Sequence, residues 1–265
     1  MELGARIGIG NTAEIFEAGQ GRVVKLFVKG YPESSMMKEY ENSRLLHGLG
    51  LPVAHSYGMV QHGERHGIIY DRVEGDSLLD SLMADPSRLE SGVSALAALH
   101  RTMLACRLPE ALSLKEILRQ YIGRSKDLDD AHKEKLLVLL EELPEGDYFC
   151  HGDFHFGNVM AGPQGHTVID YMNICRGHTY GDIARTVYLT EMTPVPAEAG
   201  DQTEFLLQLK KRAADLYLDQ MGVTREELSG WLMVTAAARL GELRREEQAE
   251  RESVLRYLQQ NGLAC

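Results

Sequence analysis

His151-Gly152-Asp153-Phe154-His155-Phe156-Gly157-Asn158, followed by Val168-Ile169-Asp170, is the stretch that decides the fold of this chain. Three oxygen-bearing side chains stand in it at short spacings: Asp153, Asn158 five positions on, and Asp170 twelve after that. Asn158 to Ala161 reads as a short strand, Gly162-Pro163-Gln164-Gly165 as a turn, and His166 to Asp170 as the returning strand. Such a hairpin brings Asp170 back beside Asn158. The two side chains can then share one hard cation, because Mg2+ takes one or two carboxylate or carbonyl oxygens and keeps its other positions for phosphate and water. Asp153, one step away, suits a base that accepts a proton from a hydroxyl nucleophile. One base and two Mg2+ ligands are the parts of a phosphoryl-transfer site.

Composition allows one large domain or a two-lobed unit at 265 residues, with 44% hydrophobic and 25% charged residues to build a sizeable soluble core. A formal charge of −11 argues against nucleic acid or an anionic membrane as the main partner. It would suit a cationic small molecule, but a plain acidic surface accounts for it more readily. Cys106, Cys150, Cys175 and Cys265 show no C-x-x-C spacing, so they read as reduced thiols of a cytoplasmic protein. Met1-Glu2-Leu3 begins no signal peptide, and no apolar run approaches membrane length.

Residues 3–27 predict a β-meander. Gly8 and Gly10 lie in its first turn and Gly19-Gln20-Gly21 in its second. Glycines at 8 and 10 would let backbone N–H groups approach phosphate oxygens, although a hairpin turn needs glycine too. The third strand, Val23-Val24-Lys25-Leu26-Phe27, centres a lysine in an apolar run. That ammonium needs an anion, or must snorkel to water from a sheet edge. Ser34 to His47 predicts a helix capped by Ser34 or Ser35, with an apolar side of Met36, Met37, Tyr40 and Leu45, stopped by Gly48 and Gly50. Strands at 55–61 and 65–71 follow, and beyond Asp71 the pattern turns helical.

H-G-D-x-x-x-x-N followed by I-D resembles the aminoglycoside phosphotransferase and choline kinase-like family of the protein-kinase-like fold. The resemblance implies an α+β, two-lobed fold: a small antiparallel β-sheet N-lobe with one helix, and a larger, mainly helical C-lobe. Residues 1–73 would form the nucleotide-binding lobe and 74–265 the helical lobe with the catalytic loop and substrate pocket. It further implies transfer of the γ-phosphoryl group of ATP, or of GTP, to a small-molecule hydroxyl, with Mg2+. Asp153 would be the base, Asn158 and Asp170 the metal ligands, and Lys25 the cation on the non-transferred phosphates. Glu39 would hold Lys25, with Glu41 as the other choice. The backbone of Tyr70, Asp71 and Val73 would meet the adenine edge. His155 would touch the γ-phosphate or simply pack the loop. His151 would fix the loop through the backbone, and Asp182 would support it from the start of a helix. Ala13 stands where the related loop has a third glycine, and Tyr171-Met172 replace Phe-Gly after the metal aspartate.

Two other readings use the same letters. His151, Asp153 and His155, with His166 and His178 in reserve, resemble a zinc cluster able to activate water. A catalytically silent nucleotide-binding scaffold is the other. Helices are predicted at 77–83, 86–103, 113–125, 133–143, 201–220, 224–243 and 245–260. Leu89, Val93, Leu96, Leu99 and Met103 read as core, with His100 structural among them. Glu242, Glu246 and Glu250 would either bind amines from one side of a C-terminal helix or form an exposed face salt-bridged to Arg244, Arg245, Arg251 and Arg256. A monomer or a homodimer fits all of this.

Overall fold

The computed structural model describes residues 3–10 and 12–263. Asn11 of the glycine turn and the thiol of Cys265 therefore lie outside the described residues. The elements run β1 Arg6–Ile9, β2 Ala13–Glu17, β3 Arg22–Phe27, α1 Glu33–Gly48, β4 Ser56–His62, β5 Arg65–Asp71, β6 Asp76–Ser77 and α2 Leu78–Ala84. They continue with α3 Leu89–Leu104, α4 Leu114–Arg124, α5 Asp130–Glu142, β7 Tyr148–Cys150, β8 Val159–Gly162, β9 Gly165–Val168 and β10 Cys175–Gly177. The chain closes with α6 Thr179–Val187, α7 Thr203–Met221, α8 Arg225–Glu242 and α9 Gln248–Gln260.

One compact unit runs to Ala84 and takes in Gly157–Asn173; the other comprises Asp85–Phe156 and the chain from Ile174 onward. This differs from the division at residue 73. Compactness assigns β6, α2 and the 157–173 segment to the first unit because Asp76 and Ser77 pair with Ala161 and Met160.

The first unit is built on an antiparallel sheet in the order β1-β2-β3-β5-β4. The β-meander forms as predicted. Gly19, Gln20 and Gly21 take φ of 71°, 51° and 68°, a left-handed run that glycine at two of three positions makes accessible. Val24, Leu26 and Ile68 are fully buried in the centre of the sheet, each contributing about 1.5–3 kcal/mol by leaving water. α1 starts earlier than expected, with Pro32 at the N-cap position and no side-chain cap, so Ser34 and Ser35 lie inside it. Its buried stripe is Met36, Glu39, Ser43 and Leu46, whereas Leu45 is exposed. Two polar contacts set this register: Ser43 Oγ donates to Ser56 Oγ at 2.6 Å, and Glu39 turns inward to Lys25.

The second unit is mainly helical. α3, α4, α6, α7 and α8 enclose Phe149, Phe154, Tyr188, Tyr217 and Trp231. Leu89, Val93, Leu96 and Met103 are buried as expected. β7 and β10 pair antiparallel, Cys150 opposite Cys175, a contact the sequence pattern did not announce. α8 opens on a capping box in which Thr224 and Glu227 each bond the other's backbone N–H. No described helix is long and apolar enough to cross a membrane.

Candidate active site

In the first unit, strand alternation on β3 and the inward stripe of α1 bring Lys25 and Glu39 together. Lys25 Nζ lies 2.7 Å from Glu39 Oε1 and 3.3 Å from Asp170 Oδ1. Glu41, the other candidate, is exposed. Tyr70 donates its hydroxyl to Glu39 Oε1 at 3.2 Å, so Glu39 is held from two sides. Burial works against the Lys25 charge, but Glu39 and Asp170 outweigh it and hold the ammonium above its ordinary value. Glu39, 2% exposed, is pushed up by burial, which Lys25 and Tyr70 only partly offset.

Asp170 reaches this cluster through the β8–β9 hairpin. The ladder pairs Val159 with Val168 and Gly162 with Gly165, leaving the two-residue turn that the sequence predicted. At its open end Ile169 N–H donates to the Asn158 carbonyl at 3.0 Å, which sets Asp170 one residue beyond the position facing Asn158. Asp170 takes φ of 65°, a left-handed conformation uncommon outside glycine. Pins on both sides maintain it. Asn42 Nδ2 donates to the Tyr171 carbonyl at 2.6 Å, Ala54 N–H donates to the Tyr171 hydroxyl at 3.0 Å, and that hydroxyl donates to the Val168 carbonyl. Strain held this firmly belongs with functional positions more often than with plain turns. Asn158 and Asp170 are thus hard oxygen donors at adjoining ladder positions, a set that fits Mg2+ with phosphate and water completing its shell.

The other predicted residues of this unit are less marked. Gly8 sits in β1 and Gly10 at its end, neither in a left-handed conformation. Gly10 N–H is bonded to the Ala13 carbonyl at 2.8 Å. Of the 70–73 segment, Asp71 N–H donates to His55 O and Arg72 N–H to Gly21 O, at 3.0 and 2.8 Å. The Val73 N–H makes no hydrogen bond among the described residues.

In the second unit, Asp153 lies on a loop whose backbone is mounted on α6. Asp182 Oδ2 accepts from His151 N–H at 2.7 Å and Oδ1 from Gly152 N–H at 2.9 Å. Asp182 lies in the first turn of α6 and supports the loop, as the resemblance implied, but it does not cap the helix. The N-cap is instead His178, whose Nδ1 accepts from Tyr180 N–H, and Asp182 is free to reach the loop. Burial alone would raise the Asp182 carboxyl. The bond to His100 at 3.0 Å, the electrostatic influence of His100 and His151 and the Gly152 amide bring it below the ordinary carboxylate range. His100, also 2.5 Å from the Tyr217 hydroxyl, is the buried structural histidine the sequence suggested. His151 is fully buried, and its Nδ1 accepts from Asp153 N–H at 3.3 Å. His155 Nε2 stands 3.9 Å from Asp153 Oδ2.

Two expectations fail on this geometry. The zinc reading finds no support: His151 turns to the backbone, His178 caps a helix, and no group of three His, Cys, Asp or Glu able to hold a metal occurs among the described residues. Glu242, Glu246 and Glu250 do not share a helix side, because α8 ends at Glu242 and α9 begins at Gln248. Glu242 and Glu250 are not an exposed face either. They bond Arg185 and Arg239 in the interior of the unit. Arg185 and Thr186 also bond the loop backbone, and sequence reasoning missed both; their signal is the i+3 and i+4 spacing from Asp182. A cavity lined by Arg107, Glu145, Gly146, Tyr148, Arg176 and His178 contains none of the residues expected to serve phosphoryl transfer.

An antiparallel sheet carrying a lysine–glutamate pair, with a helical unit carrying a His-Gly-Asp loop, defines a kinase-like α+β fold. The chain belongs to the phosphotransferase enzyme family, whose profile matches residues 5–217. A search of curated proteins gives no match. Among solved structures the chain is similar to an aminoglycoside-3'-phosphotransferase of type VIII, 19% identical over 89% of this chain and 93% of that one, TM-score 0.62. It is similar to amicoumacin kinase hAmiN, solved in complex with AMP-PNP, Ca2+ and Ami, 14% identical over 97% and 88%, TM-score 0.63. It is also similar to aminoglycoside phosphotransferase APH(3'')-Id from Streptomyces rimosus, solved with ADP and streptomycin, 16% identical over 87% and 91%, TM-score 0.58. At these identities the likeness establishes the two-lobed, kinase-like fold.

Proposed function

We propose that this chain transfers the γ-phosphoryl group of ATP to a hydroxyl of a small-molecule acceptor in the cytoplasm. The observation that carries the reading is the Lys25 ammonium held between Glu39 and Asp170, at 2.7 and 3.3 Å. A buried cation braced by one carboxylate and shared with a second is a ready receptor for the non-transferred phosphates. Asn158 and Asp170 would hold Mg2+, which when bound would supply positive charge against that developing on the transferred phosphoryl group. Glu39 keeps Lys25 in place, and Tyr70 keeps Glu39 in place. The backbone at Gly8 and Gly10 lies against the phosphates, and the backbone of Tyr70, Asp71 and Val73 takes the adenine edge, with the Val73 N–H as its donor. Asp153 orients the acceptor hydroxyl and removes its proton, while His155 contacts the γ-phosphate. Catalysis of this kind is mostly positioning and charge neutralisation.

Nucleotide in the hAmiN and APH(3'')-Id structures supports the donor, and streptomycin in the latter supports an aminoglycoside-like acceptor. Amino alcohols and sugars suit the same chemistry, and the net charge of −11 favours a cationic one. The test is Asp153→Ala, assayed by coupled ADP release over a panel of such acceptors. Turnover is expected to fall by about 10²–10⁴-fold while Mg·ATP affinity, by calorimetry, stays within about twofold. Undiminished turnover would remove Asp153 from the mechanism. Nucleotide binding without turnover on any acceptor would leave a silent scaffold instead.

A further inference from the structure

α6 presents Asp182, Arg185 and Thr186 on one face, at i, i+3 and i+4. All three bond the backbone around Asp153. Asp182 accepts the His151 and Gly152 amides. Arg185 Nε donates to the Gly152 carbonyl at 3.2 Å, and Thr186 Oγ1 donates to the Phe154 carbonyl at 2.9 Å. One helix face therefore grips the peptide that precedes Asp153 and the peptide that follows Phe154. The grip matters most at Gly152, whose φ is 76°. Glycine there is the most easily rotated joint in the loop, and only an outside contact fixes the direction of the next peptide.

Arg185 is itself set from its other end. Its two terminal nitrogens donate to the two Glu242 oxygens, at 3.4 and 2.9 Å. Glu242 also accepts from Arg239 at 2.9 Å; Arg239 grips Glu250 at 2.8 and 3.2 Å, and Tyr188 donates to Glu250 at 2.8 Å. Two arginines and two glutamates thus alternate from the C-terminal helices to the loop. Burial disfavours the Arg185 charge, but Glu242 and the neighbouring Asp153 carboxylate outweigh it, so the guanidinium stays ionised. A buried ion network of this kind is a poor source of net stability compared with apolar packing, so holding one geometry is the better account of it.

We propose that Arg185, oriented by Glu242, is the positioning residue for Asp153: it fixes the Gly152–Asp153 peptide so that the carboxylate faces the acceptor hydroxyl. This rests on the reading of Asp153 as the base. Arg185→Lys keeps the charge but loses the planar fork that reaches a carbonyl and a carboxylate together. Glu242→Gln keeps the shape and removes the charge that orients Arg185. Both are measured on the full chain beside Arg185→Met and Asp153→Asn, with water as the acceptor in steady-state hydrolysis of Mg·ATP. The expected result is a kcat about 100-fold lower for Arg185→Met, about tenfold lower for Glu242→Gln and intermediate for Arg185→Lys, each with KM for Mg·ATP within about twofold of wild type. Folded Arg185→Lys and Glu242→Gln proteins with wild-type kcat would overturn the inference, as would equal losses in kcat and KM. Wild-type turnover by Asp153→Asn would instead overturn the reading beneath it.

Discussion

Around Lys25 the ordering contacts run from side chain to side chain: ammonium to two carboxylates, and phenol to one of them. Around Asp153 they run from side chain to backbone, as Asp182, Arg185 and Thr186 hold the amides and carbonyls of residues 151–154. The first arrangement can exchange partners. On the proposed function Asp170, with its side chain 44% exposed, would trade Lys25 for a divalent cation while Glu39 keeps hold of the lysine. The second cannot exchange anything without unmaking the fold, because its anchors are buried on α6. Substitutions in the first region should therefore register as nucleotide and metal dependence, with turnover lost only where a metal ligand is removed and stability spared. Those in the second should register as turnover and stability.

The sharpest break would come at Asp170. Asn tolerates the left-handed backbone there, so Asp170→Asn isolates the charge. Turnover should drop about 10²–10³-fold, and the Mg2+ concentration for half-maximal rate should rise, with the thermal midpoint nearly unchanged. A large loss of Tm with unaltered Mg2+ dependence would make Asp170 a structural residue, and the contrast between the regions would fail.

A smaller effect is expected at Asp182, and it should appear in stability first. Its carboxyl is held below the ordinary range in the folded chain, so its contribution is present above the unfolded value and is lost as pH falls through the folded one. Wild-type Tm should fall on acidification below about pH 4. Asp182→Asn should be about 3 kcal/mol less stable at neutral pH and show a flatter acid limb. Parallel Tm curves for the two proteins would remove Asp182 as the loop's anchor.

The mildest change is Tyr70→Phe, which deletes one bond to Glu39 and leaves the ring packed. A cost of about 1 kcal/mol, read as a roughly fivefold higher KM for Mg·ATP with kcat unchanged, is expected. A fall in kcat alone would place Tyr70 with the second region rather than the first.

Legibility in the sequence followed the range of each interaction. The β-meander and the β8–β9 hairpin could be read ahead because local patterns specify them, whereas the Lys25–Glu39 pair was implied by the family resemblance, with Glu41 left open. The N-terminus of α1 was misplaced because Pro32 begins the helix without a side-chain cap, so the nearby serines drew attention for the wrong reason. β6 and β10 went unseen because strands of two and three residues carry no periodicity, and their partners lie far along the chain. Arg185 was illegible as a functional residue because its partner, Glu242, is 57 positions away. The acidic run was misread because the four-residue spacing of Glu242, Glu246 and Glu250 was taken for one helix side although Glu242 ends α8 and Glu250 lies in α9.

Calorimetric titration of AMP-PNP with Mg2+ into wild type, Lys25→Met and Asp153→Asn tests the central claim most directly, and it needs no acceptor. Wild type and Asp153→Asn should bind with the same affinity, while Lys25→Met should bind about 10–100-fold more weakly. Equal affinity in all three, or binding that depends on Asp153 rather than Lys25, would contradict the assignment of nucleotide holding to the first region and proton removal to the second.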